Sequence, residues 1–252
     1  MNWFRKMGRK RLEQITKFNY KPAIWVPKPE EGRRFVVGDI HGCSKSFKQL
    51  LKRIDLNHND QLFLLGDLIN KGPRSKGVVK HVVKLREKGF QVYCVRGNHE
   101  EALINDIIQM NGSLSFRYSH LFKLLDKDKK LKRRYLKFFY SMPYYIELDD
   151  FFLVHAGFNL NASTPLRDFE SMTTVRNLEN KRYLTLDALK SKHVLVGHTP
   201  TYMGHIEEAV ALQRKVIPLD NGCTLAGKKI YFGNLLCLEI DGWKLYKQPC
   251  ID

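Results

Sequence analysis

The stretch FLLGDLINKG, residues 63–72, combines a short apolar run with an abrupt change to glycines and polar residues. The apolar run stops at Gly66, and Asp67 follows it directly. The same pattern occurs earlier in FVVGDIHG, residues 35–42, where the run leads to Asp39. Short apolar runs bounded by turn residues are typical of buried strands. Both stretches therefore predict a strand that delivers a carboxylate at its carboxyl end.

Helical segments separate these predicted strands along the first hundred residues. From Ser44 to about residue 54 apolar side chains recur at i, i+3, i+4 and i+7, which predicts a helix with one buried face. A second helix is predicted from Ser75 to Gly89, a third strand from Phe90 to Arg96, and a third helix begins near His99. The predicted order of the first five elements is β-α-β-α-β. Strands that alternate with helices in this way form parallel sheets with helical crossovers.

The pattern of apolar and polar residues changes after Pro143. Short apolar runs with turn residues between them then dominate, which predicts a series of strands. These runs are FFLVHAG, HVLVGHTP, KVIPLDNG, KIYF, LLCLEID and WKLYK. No internal repeat or low-complexity linker divides the chain. We therefore predict an α/β domain over residues 34–252, preceded by a basic extension over residues 1–33.

Two parts of the chain carry much of its net charge of +17. Residues 1–34 hold ten Lys/Arg against three acidic residues, and residues 117–137 hold nine against two. Such surfaces either face solvent without a partner or attract polyanionic substrates or nucleic acid. The sequence contains no nucleic-acid recognition motif. We call residues 116–140 the basic segment and predict two helices broken at DKDKK, with apolar side chains packing inward; these are Leu121, Leu125, Leu131, Tyr135 and Phe138.

Cysteine usage and hydropathy bear on where the protein works. The five cysteines are odd in number and form no CxxC pair, which predicts reduced thiols in a cytoplasmic protein. No apolar run approaches the roughly 18 residues of a membrane span. No apolar stretch follows the basic N-terminus, so we expect no secretory signal.

Polar side chains follow most of the predicted strands. They are Asp39, His41, Asp67, Asn98, His99, His155 and His198. Because the loops at the carboxyl ends of strands converge on one crevice in open α/β sheets, we expect these side chains to lie together. Carboxylates, an amide oxygen and imidazoles suit first-row divalent metals such as Mn, Fe or Zn. Any one of these residues alone would more often be a helix cap or a hydrogen-bonded core residue, but their repetition at successive strand ends favours a metal site.

The motifs GDIHG, GDLINKG, GNHE, HAG and GHT occur in the order and approximate spacing of the calcineurin-like metallophosphoesterase superfamily. Within it the chain resembles PPP-type phosphatases, a group that includes bacterial serine/threonine phosphatases and diadenosine tetraphosphatases. The resemblance runs from about Phe35 to Asp220. It implies a β-sandwich flanked by helices (α/β/β/α) with two divalent metal ions at the carboxyl ends of the strands.

The resemblance also implies roles for individual residues. Asp39 and His41 would bind the first metal ion and Asp67 would bridge both ions, while the second ion would be held by Asn98, His155 and His198. A hydroxide between the ions would attack a phosphate monoester directly, without a covalent phosphoenzyme. His99 resembles the general acid for the leaving oxygen. Manganese is the favoured metal, with iron or zinc as alternatives.

Cationic side chains are expected to grip the phosphate. The resemblance points to Arg176, to Arg96 and to Lys71. The alternative for Arg176 is an ordinary surface arginine, and the alternative for Arg96 is a side chain that braces the site. The chain departs from the usual G-D-x-V-D-R-G motif at two positions, where Asn70 replaces an aspartate and Lys71 an arginine. Asn70 can still accept a hydrogen bond from His99 and orient it, but it supplies no negative charge to keep the imidazolium protonated.

Three functions remain open at this point. We favour, narrowly, a serine/threonine protein phosphatase acting on a phosphorylated protein. The alternative is a diadenosine tetraphosphatase acting on a dinucleoside polyphosphate. A function of another class is a non-catalytic protein that retains metal and binds phosphate or RNA. Asp220 lies near the site by resemblance, and we assign it no role.

Overall fold

The computed structural model describes residues 20–176, 187 and 189–252. Residues 1–19 of the predicted extension lie outside this range. The described strands are β1 (Ala23–Trp25), β2 (Arg34–Val37), β3 (Gln61–Leu64), β4 (Gln91–Cys94), β5 (Tyr145–Glu147), β6 (Phe151–Val154), β7 (His193–Val196), β8 (Val216–Pro218), β9 (Asp220–Asn221), β10 (Asn234–Glu239) and β11 (Lys244–Pro249). The described α-helices are α1 (Ser44–Arg53), α2 (Ser75–Glu87), α3 (Asn98–Gln109), α4 (Arg133–Tyr140) and α5 (Met203–Ala211).

The strands form two sheets. One has the order β11-β10-β2-β3-β4, with β9 added beside β10, and the other has the order β1-β5-β6-β7-β8. Strands β2, β3 and β4 are parallel, and α1 and α2 are their crossover helices. Strands β6, β7 and β8 are also parallel. The β-α-β-α-β order predicted for the first hundred residues is therefore confirmed.

Alternate residues of the strands supply two different cores. In β2 the side chains of Phe35 and Val37 pack against the helices, while Val36 packs toward the other sheet. Because β2 is buried on both faces, its sequence is a continuous apolar run and shows no polar alternation. The result is a helix-flanked β-sandwich, as expected from the sequence.

The basic segment also follows the prediction. A 3-10 helix spans Phe116–Leu124, turns follow it, and α4 begins at Arg133. Most of its predicted inward side chains are buried, and Leu125 is partly buried; the buried ones are Leu121, Leu131, Tyr135 and Phe138.

Two details differ from the sequence prediction. The strand predicted at residues 229–232, KIYF, is a turn region, and β10 begins only at Asn234. Ile230 and Tyr231 are exposed in this region. Part of the predicted extension belongs to the sandwich, since β1 pairs in parallel with β5 and Val26 is buried beside it.

No helix in the described part of the chain is long and apolar enough to cross a membrane.

Candidate metal centre and active site

Both sheets contribute side chains to one cluster at the carboxyl ends of their parallel strands. Asp39 and Asp67 lie in the loops after β2 and β3, Asn98 begins α3 after β4, and His155 and His198 follow β6 and β7. The loops are joined through their backbones, since the amides of Ile40 and His41 both donate to the carbonyl of Asp67, at 3.2 and 2.7 Å. The topology thus explains why residues 159 positions apart in sequence meet.

Asp67 occupies the middle of the cluster. Two groups of possible metal ligands contain it: one joins it to His41 and His99, the other to His155 and His198, with the ligand atoms of each group within 4.8 Å of one another. Its Oδ2 lies 3.4 Å from Nε2 of His41 and 3.5 Å from Nε2 of His155. A carboxylate shared between two such groups has the position that a bridging ligand requires.

The histidine rings are held by backbone carbonyls behind them. Nδ1 of His41 donates to the carbonyl of Ile69 at 3.1 Å, and Nδ1 of His155 donates to the carbonyl of Leu65 at 2.7 Å. Each contact fixes the tautomer and turns the Nε2 lone pair toward Asp67. This arrangement is common for metal-ligating histidines.

Burial dominates the electrostatics of the cluster. It raises the pKa of Asp67 to about 7 and the pKa of Asp39 well above its usual range. Burial also lowers the pKa of His155 to about 4, and burial together with the charges of His155 and Arg176 lowers that of His198 to about 3. At neutral pH the imidazoles therefore present lone pairs. The charge of Lys71 only partly offsets the burial of the two carboxylates, and buried anions require compensating positive charge.

Two buried polar atoms support the fit of metal ions to this site. Oδ2 of Asp39 and Nε2 of His198 have no hydrogen-bond partner within the described part of the chain. Nζ of Lys71 lies 2.7 Å from Nε2 of His41, so an ammonium group stands beside the cluster as a cation. An oxygen and a nitrogen donor left without partners, with a cation already drawn to their neighbour, match the ligand set of a first-row divalent metal.

The loops that carry these residues have an unusual backbone. Left-handed φ values between 44° and 69° occur at five non-glycine positions of the cluster: His41, Asp67, Asn70, Lys71 and His198. Non-glycine residues seldom adopt this conformation, and such strain concentrates at functional sites. Glycine is required beside them, because a Cβ on Gly97 would lie 2.2 Å from Oδ1 of Asp67.

His99 and Asn70 face each other, as the sequence predicts, but with a different hydrogen bond. The amide Nδ2 of Asn70 lies 2.7 Å from Nδ1 of His99. Asn70 therefore donates to a neutral ring rather than accepting from it, and the ring proton lies on Nε2. Burial, followed by the charge of Lys71, lowers the pKa of His99 to about 4.

The three predicted phosphate-binding residues lie in different surroundings. Lys71 contacts the cluster directly, and the exposed Arg176 lies close enough for its charge to affect the pKa of His198. Arg96 has surroundings that fit the bracing alternative. It is fully buried between the rings of Tyr20 and Tyr144 and forms an ion pair with Glu101 at 3.0 Å, so its guanidinium braces the start of α3 and does not face a substrate.

Sequence reasoning missed Glu100. Its fully buried carboxylate accepts hydrogen bonds from the backbone amides of Asp67, Leu68 and Gly97 at 2.7, 2.9 and 3.2 Å. It thereby holds the loop after β3 against the start of α3. Burial and the charge of Asp67 raise the pKa of Glu100 to about 8. The available signal was its position three residues after Gly97, where a capping-box glutamate is expected.

Arg117 is the second residue that sequence reasoning did not single out. It lies at the start of the basic segment, and its positive charge helps to lower the pKa of His99. This electrostatic influence acts between residues of two different helices, so no local sequence pattern indicates it.

Two solved structures share the fold of this chain. A crystal structure described as a candidate diadenosine tetraphosphatase superposes with a TM-score of 0.62 over 91% of this chain and 98% of that chain, at 24% identity. A serine/threonine phosphatase from Saccharomyces cerevisiae superposes with a TM-score of 0.65 over 98% of this chain and 90% of that chain, at 15% identity.

Sequence comparison defines the class. The chain matches the calcineurin-like phosphoesterase family over residues 32–230 and belongs to it. It is therefore a metal-dependent phosphoric ester hydrolase, and the family fits the paired ligand groups around Asp67.

Two curated relatives are symmetrical bis(5'-nucleosyl)-tetraphosphatases. The protein from Vibrio parahaemolyticus is 35% identical over 131 residues, which cover 49% of this chain and 44% of the relative. The protein from Chromobacterium violaceum is 26% identical over an alignment of 280 positions, which covers 86% of this chain and 95% of the relative. The match to the Vibrio protein thus spans less than half of that relative.

Proposed function

We propose that the protein hydrolyses dinucleoside tetraphosphates symmetrically, with one water converting each substrate into two nucleoside diphosphates. The similarity to two symmetrical tetraphosphatases supports this substrate class over the protein phosphatase that the sequence narrowly favoured. The proposal also fits the net charge of +17, because a tetraphosphate bridge is strongly anionic.

The observation that carries the proposal is the pairing of His99 with a neutral amide. A serine phosphate releases an alkoxide whose conjugate acid resembles water, with a pKa of about 16, so its departure depends on a proton donor. A phosphoanhydride releases a phosphate oxygen with a pKa of about 6, which needs little protonation. Burial and the charge of Lys71 lower the pKa of His99 to about 4, and the neutral amide of Asn70 supplies no charge that would raise it. The ring is therefore unprotonated at neutral pH, and the site is better matched to an anhydride.

We further propose the following ligands for two metal ions. Asp39 and His41 hold one ion, and Asn98, His155 and His198 hold the other, with Asp67 between them. Bound there, divalent ions supply Lewis-acid polarisation of phosphoryl oxygens and an activated water. The chain's own part is to fix the imidazole tautomers through the carbonyls of Ile69 and Leu65. Manganese is the proposed metal, with iron or zinc as alternatives.

Cations around the site are proposed to bind the non-reacting phosphates. Lys71, Arg117 and Arg176 each exert a charge on His99 or His198. A phosphoprotein presents one phosphate, whereas a tetraphosphate bridge presents charge along its whole length. Three separate cations around one cluster suit the longer anion.

Exposed aromatic side chains next to these residues suit nucleobases. Phe116, adjacent to Arg117, is 84% exposed, and Tyr202, four residues after His198, is 53% exposed. Tyr231 is 74% exposed and lies 6.4 Å from Tyr202 between ring centroids. The buried side chain of Asn221 joins these two segments by donating to the carbonyls of Thr201 and Tyr231 at 3.0 and 3.1 Å.

A direct test compares substrates on one metal-loaded preparation. Diadenosine tetraphosphate should give ADP as its sole nucleotide product, with a kcat/KM about 10²-fold or more above that of a phosphoserine peptide. Asp67→Asn should abolish the turnover and so exclude a contaminant. Formation of AMP with ATP, or preferential turnover of the phosphopeptide, would contradict the proposal.

The aromatic residues provide a second, finer test. Tyr202→Ala and Tyr231→Ala should each raise KM for diadenosine tetraphosphate about tenfold, since base stacking on an aromatic ring contributes about 1–3 kcal/mol. Hydrolysis of p-nitrophenyl phosphate, which has no base, should be unchanged. Ile230→Ala is the matched control, because Ile230 is 78% exposed in the same loop but has no ring.

Two other functions remain as outcomes of the substrate test. For the serine/threonine phosphatase interpretation, the Saccharomyces neighbour at 15% identity adds a shared fold and nothing about the substrate. The non-catalytic interpretation conflicts with membership of a hydrolase family. A cytoplasmic location stays a prediction.

A further inference from the structure

Three cysteines from distant parts of the chain meet outside the candidate metal centre. Cys43 immediately precedes α1, Cys223 follows β9 and Cys250 follows β11. Their sulfur atoms all lie within 4.8 Å of one another, and the Sγ atoms of Cys43 and Cys250 are 4.0 Å apart. The other two cysteines, Cys94 and Cys237, are buried in strands and do not belong to this group.

We propose that Cys43, Cys223 and Cys250 form a thiolate site for one thiophilic divalent metal ion, with Zn²⁺ as the expected occupant. Zinc–sulfur bonds of about 2.3 Å in tetrahedral geometry place neighbouring sulfur atoms about 3.8 Å apart, close to the separation seen between Cys43 and Cys250. Binding converts three thiols to thiolates and releases one proton from each. The proposal does not rest on the proposed function.

The surroundings of the cluster suit a bound ion with one open position. A cavity of about 340 Å³ is lined by the three cysteines together with Lys71 and Lys228. Three protein ligands leave the fourth tetrahedral position for water or a small ligand, and the cavity has room for it. The pKa of the Cys43 thiol is lowered, chiefly by its contact with Cys223, which favours the thiolate that binds metal. Asp252, which also lines the cavity, opposes this shift, and Lys228 supports it.

Cys250 is held in place by its neighbours. The amide of Cys250 donates to the carbonyl of Gly233 at 2.8 Å, and the amide of Ile251 donates to Oγ of Ser46 at 3.0 Å. The carboxylate of Asp252 accepts from the amides of Lys45 and Ser46, at 3.0 and 2.8 Å, at the start of α1. Contacts on both sides of Cys250 thus bring its sulfur to Cys43 before any ion binds.

An ion at this site would join three segments next to the candidate active site. Cys43 lies two residues after His41, Cys223 lies three residues after Asp220, and Lys71 lines the same cavity. We therefore expect the bound ion to stabilise these segments against thermal unfolding. Cysteine clusters that close long loops of chain give the largest such effect.

Cobalt(II) is a suitable probe, because thiolate ligands give it a sulfur-to-metal charge-transfer absorption that imidazole and carboxylate ligands do not. The experiment uses reduced full-length chain carrying Asp67→Asn and His198→Ala, which weaken binding at the other centre. We expect one equivalent of Co²⁺ with the thiolate absorption, displaced by Zn²⁺. Both signals should be lost in Cys43→Ser and in Cys250→Ser, and retained in Cys237→Ala.

Absence of the thiolate absorption in the reduced chain would overturn the proposal, as would its persistence in Cys43→Ser and Cys250→Ser. A second measurement covers the case in which a variant fails to fold. In the otherwise unaltered chain, Zn²⁺ should slow alkylation of the three clustered thiols at least about tenfold, as read by peptide mass spectrometry. Equal alkylation with and without Zn²⁺, or a disulfide already joining two of the cysteines after purification under reducing conditions, would contradict the site.

Discussion

The loops after the parallel strands and the basic segment are both rich in charged side chains, yet they are built differently. Asp39 and Asp67 are 2% and 1% exposed, and five residues of this cluster, including Asp67, have left-handed backbones. In the basic segment most lysines and arginines are exposed on short helices and turns, above a buried apolar face. Electrostatic effects in the first region therefore come from fixed contacts at short range. In the second region they come from the summed field of the exposed charges.

Backbone strain in this chain is concentrated in the loops after the parallel strands. A left-handed non-glycine residue costs about 1–3 kcal/mol, so five of them in one cluster require many compensating contacts. Glu100 and the paired backbone bonds between the loops supply such contacts. The basic segment carries less backbone strain, because Lys129 is its one left-handed residue among those described. Variants in the two regions should therefore differ in size of effect and in response to salt.

The largest effect is expected at Asp67. Asp67→Asn removes the one carboxylate shared by both ligand groups, so occupancy of both metal sites should fall together. Loss of metal stabilisation of several kcal/mol corresponds to a fall in kcat of about 10³-fold or more. Metal analysis by mass spectrometry is the measurement, with His41→Ala and His198→Ala as controls that should each affect mainly one site. Full occupancy in Asp67→Asn would rule out the bridging assignment.

Glu100 tests whether positioning alone accounts for part of that effect. Glu100→Gln replaces one carboxylate oxygen with an amide donor, so at least one of the three backbone amides loses its acceptor. Residues that orient metal ligands typically contribute 10–100-fold to affinity, and we expect a metal Kd raised by about that factor. At saturating metal, kcat should recover to a large extent. Glu208→Gln on the exposed face of α5 is the control; an unchanged Kd in Glu100→Gln would show that the loop does not depend on this contact.

The comparison also explains what could be predicted from the sequence. Short apolar runs ending in glycine and a polar residue are local signals, so they indicated Asp39, Asp67, His155 and His198 without any knowledge of the fold. The run KIYF gave the same local signal but is not among the strands of the described residues. Strand pairing is decided by distant parts of the chain, which a local signal does not contain.

Long-range packing accounts for the remaining differences at the site. Arg96 precedes a predicted ligand in sequence, yet the rings of Tyr20 and Tyr144 enclose it. Arg117 acts on His99 from a separate helix. The three clustered cysteines come from positions 43, 223 and 250, and their spacing in sequence resembles no metal-binding motif. None of these contacts has a local pattern.

Asn70→Asp sharpens the distinction between orientation and charge within the first region. A carboxylate 2.7 Å from Nδ1 of His99 favours the imidazolium, so the pKa of His99 should rise from about 4. An acid that must be protonated acts below its pKa, so the basic limb of the pH profile of kcat should move to higher pH. The rate for an alkyl phosphate at neutral pH should rise by roughly tenfold or less, because Asn70 already orients the ring.

Diadenosine tetraphosphate and p-nitrophenyl phosphate serve as the control substrates for this variant. Their leaving groups need little protonation, and their rates should stay within about twofold. An alkyl-phosphate rate and a pH profile that both remain unchanged in the metal-replete variant would show that His99 is not the general acid. An equal rise for all three substrates would instead indicate an effect on metal binding.

The smallest effect is expected in the basic segment, and salt distinguishes it from all the others. Replacing Lys129, Lys130, Arg133 and Arg134 with glutamine removes charges that face solvent, although Arg134 already lies 3.7 Å from Glu87. KM for diadenosine tetraphosphate should rise a few-fold at low ionic strength, and the difference should fade near 0.15 M salt, where the Debye length is about 8 Å. KM for p-nitrophenyl phosphate should not change. Arg117→Gln provides the contrast, because the charge of Arg117 helps to lower the pKa of His99. We expect the effect of this substitution on KM to survive added salt. If the quadruple variant and the unaltered protein have equal KM values at low salt, the segment is an ordinary solvated surface. If the difference in KM instead persists at high salt, the segment contacts the substrate directly. In that case the division between fixed contacts and a long-range field does not hold.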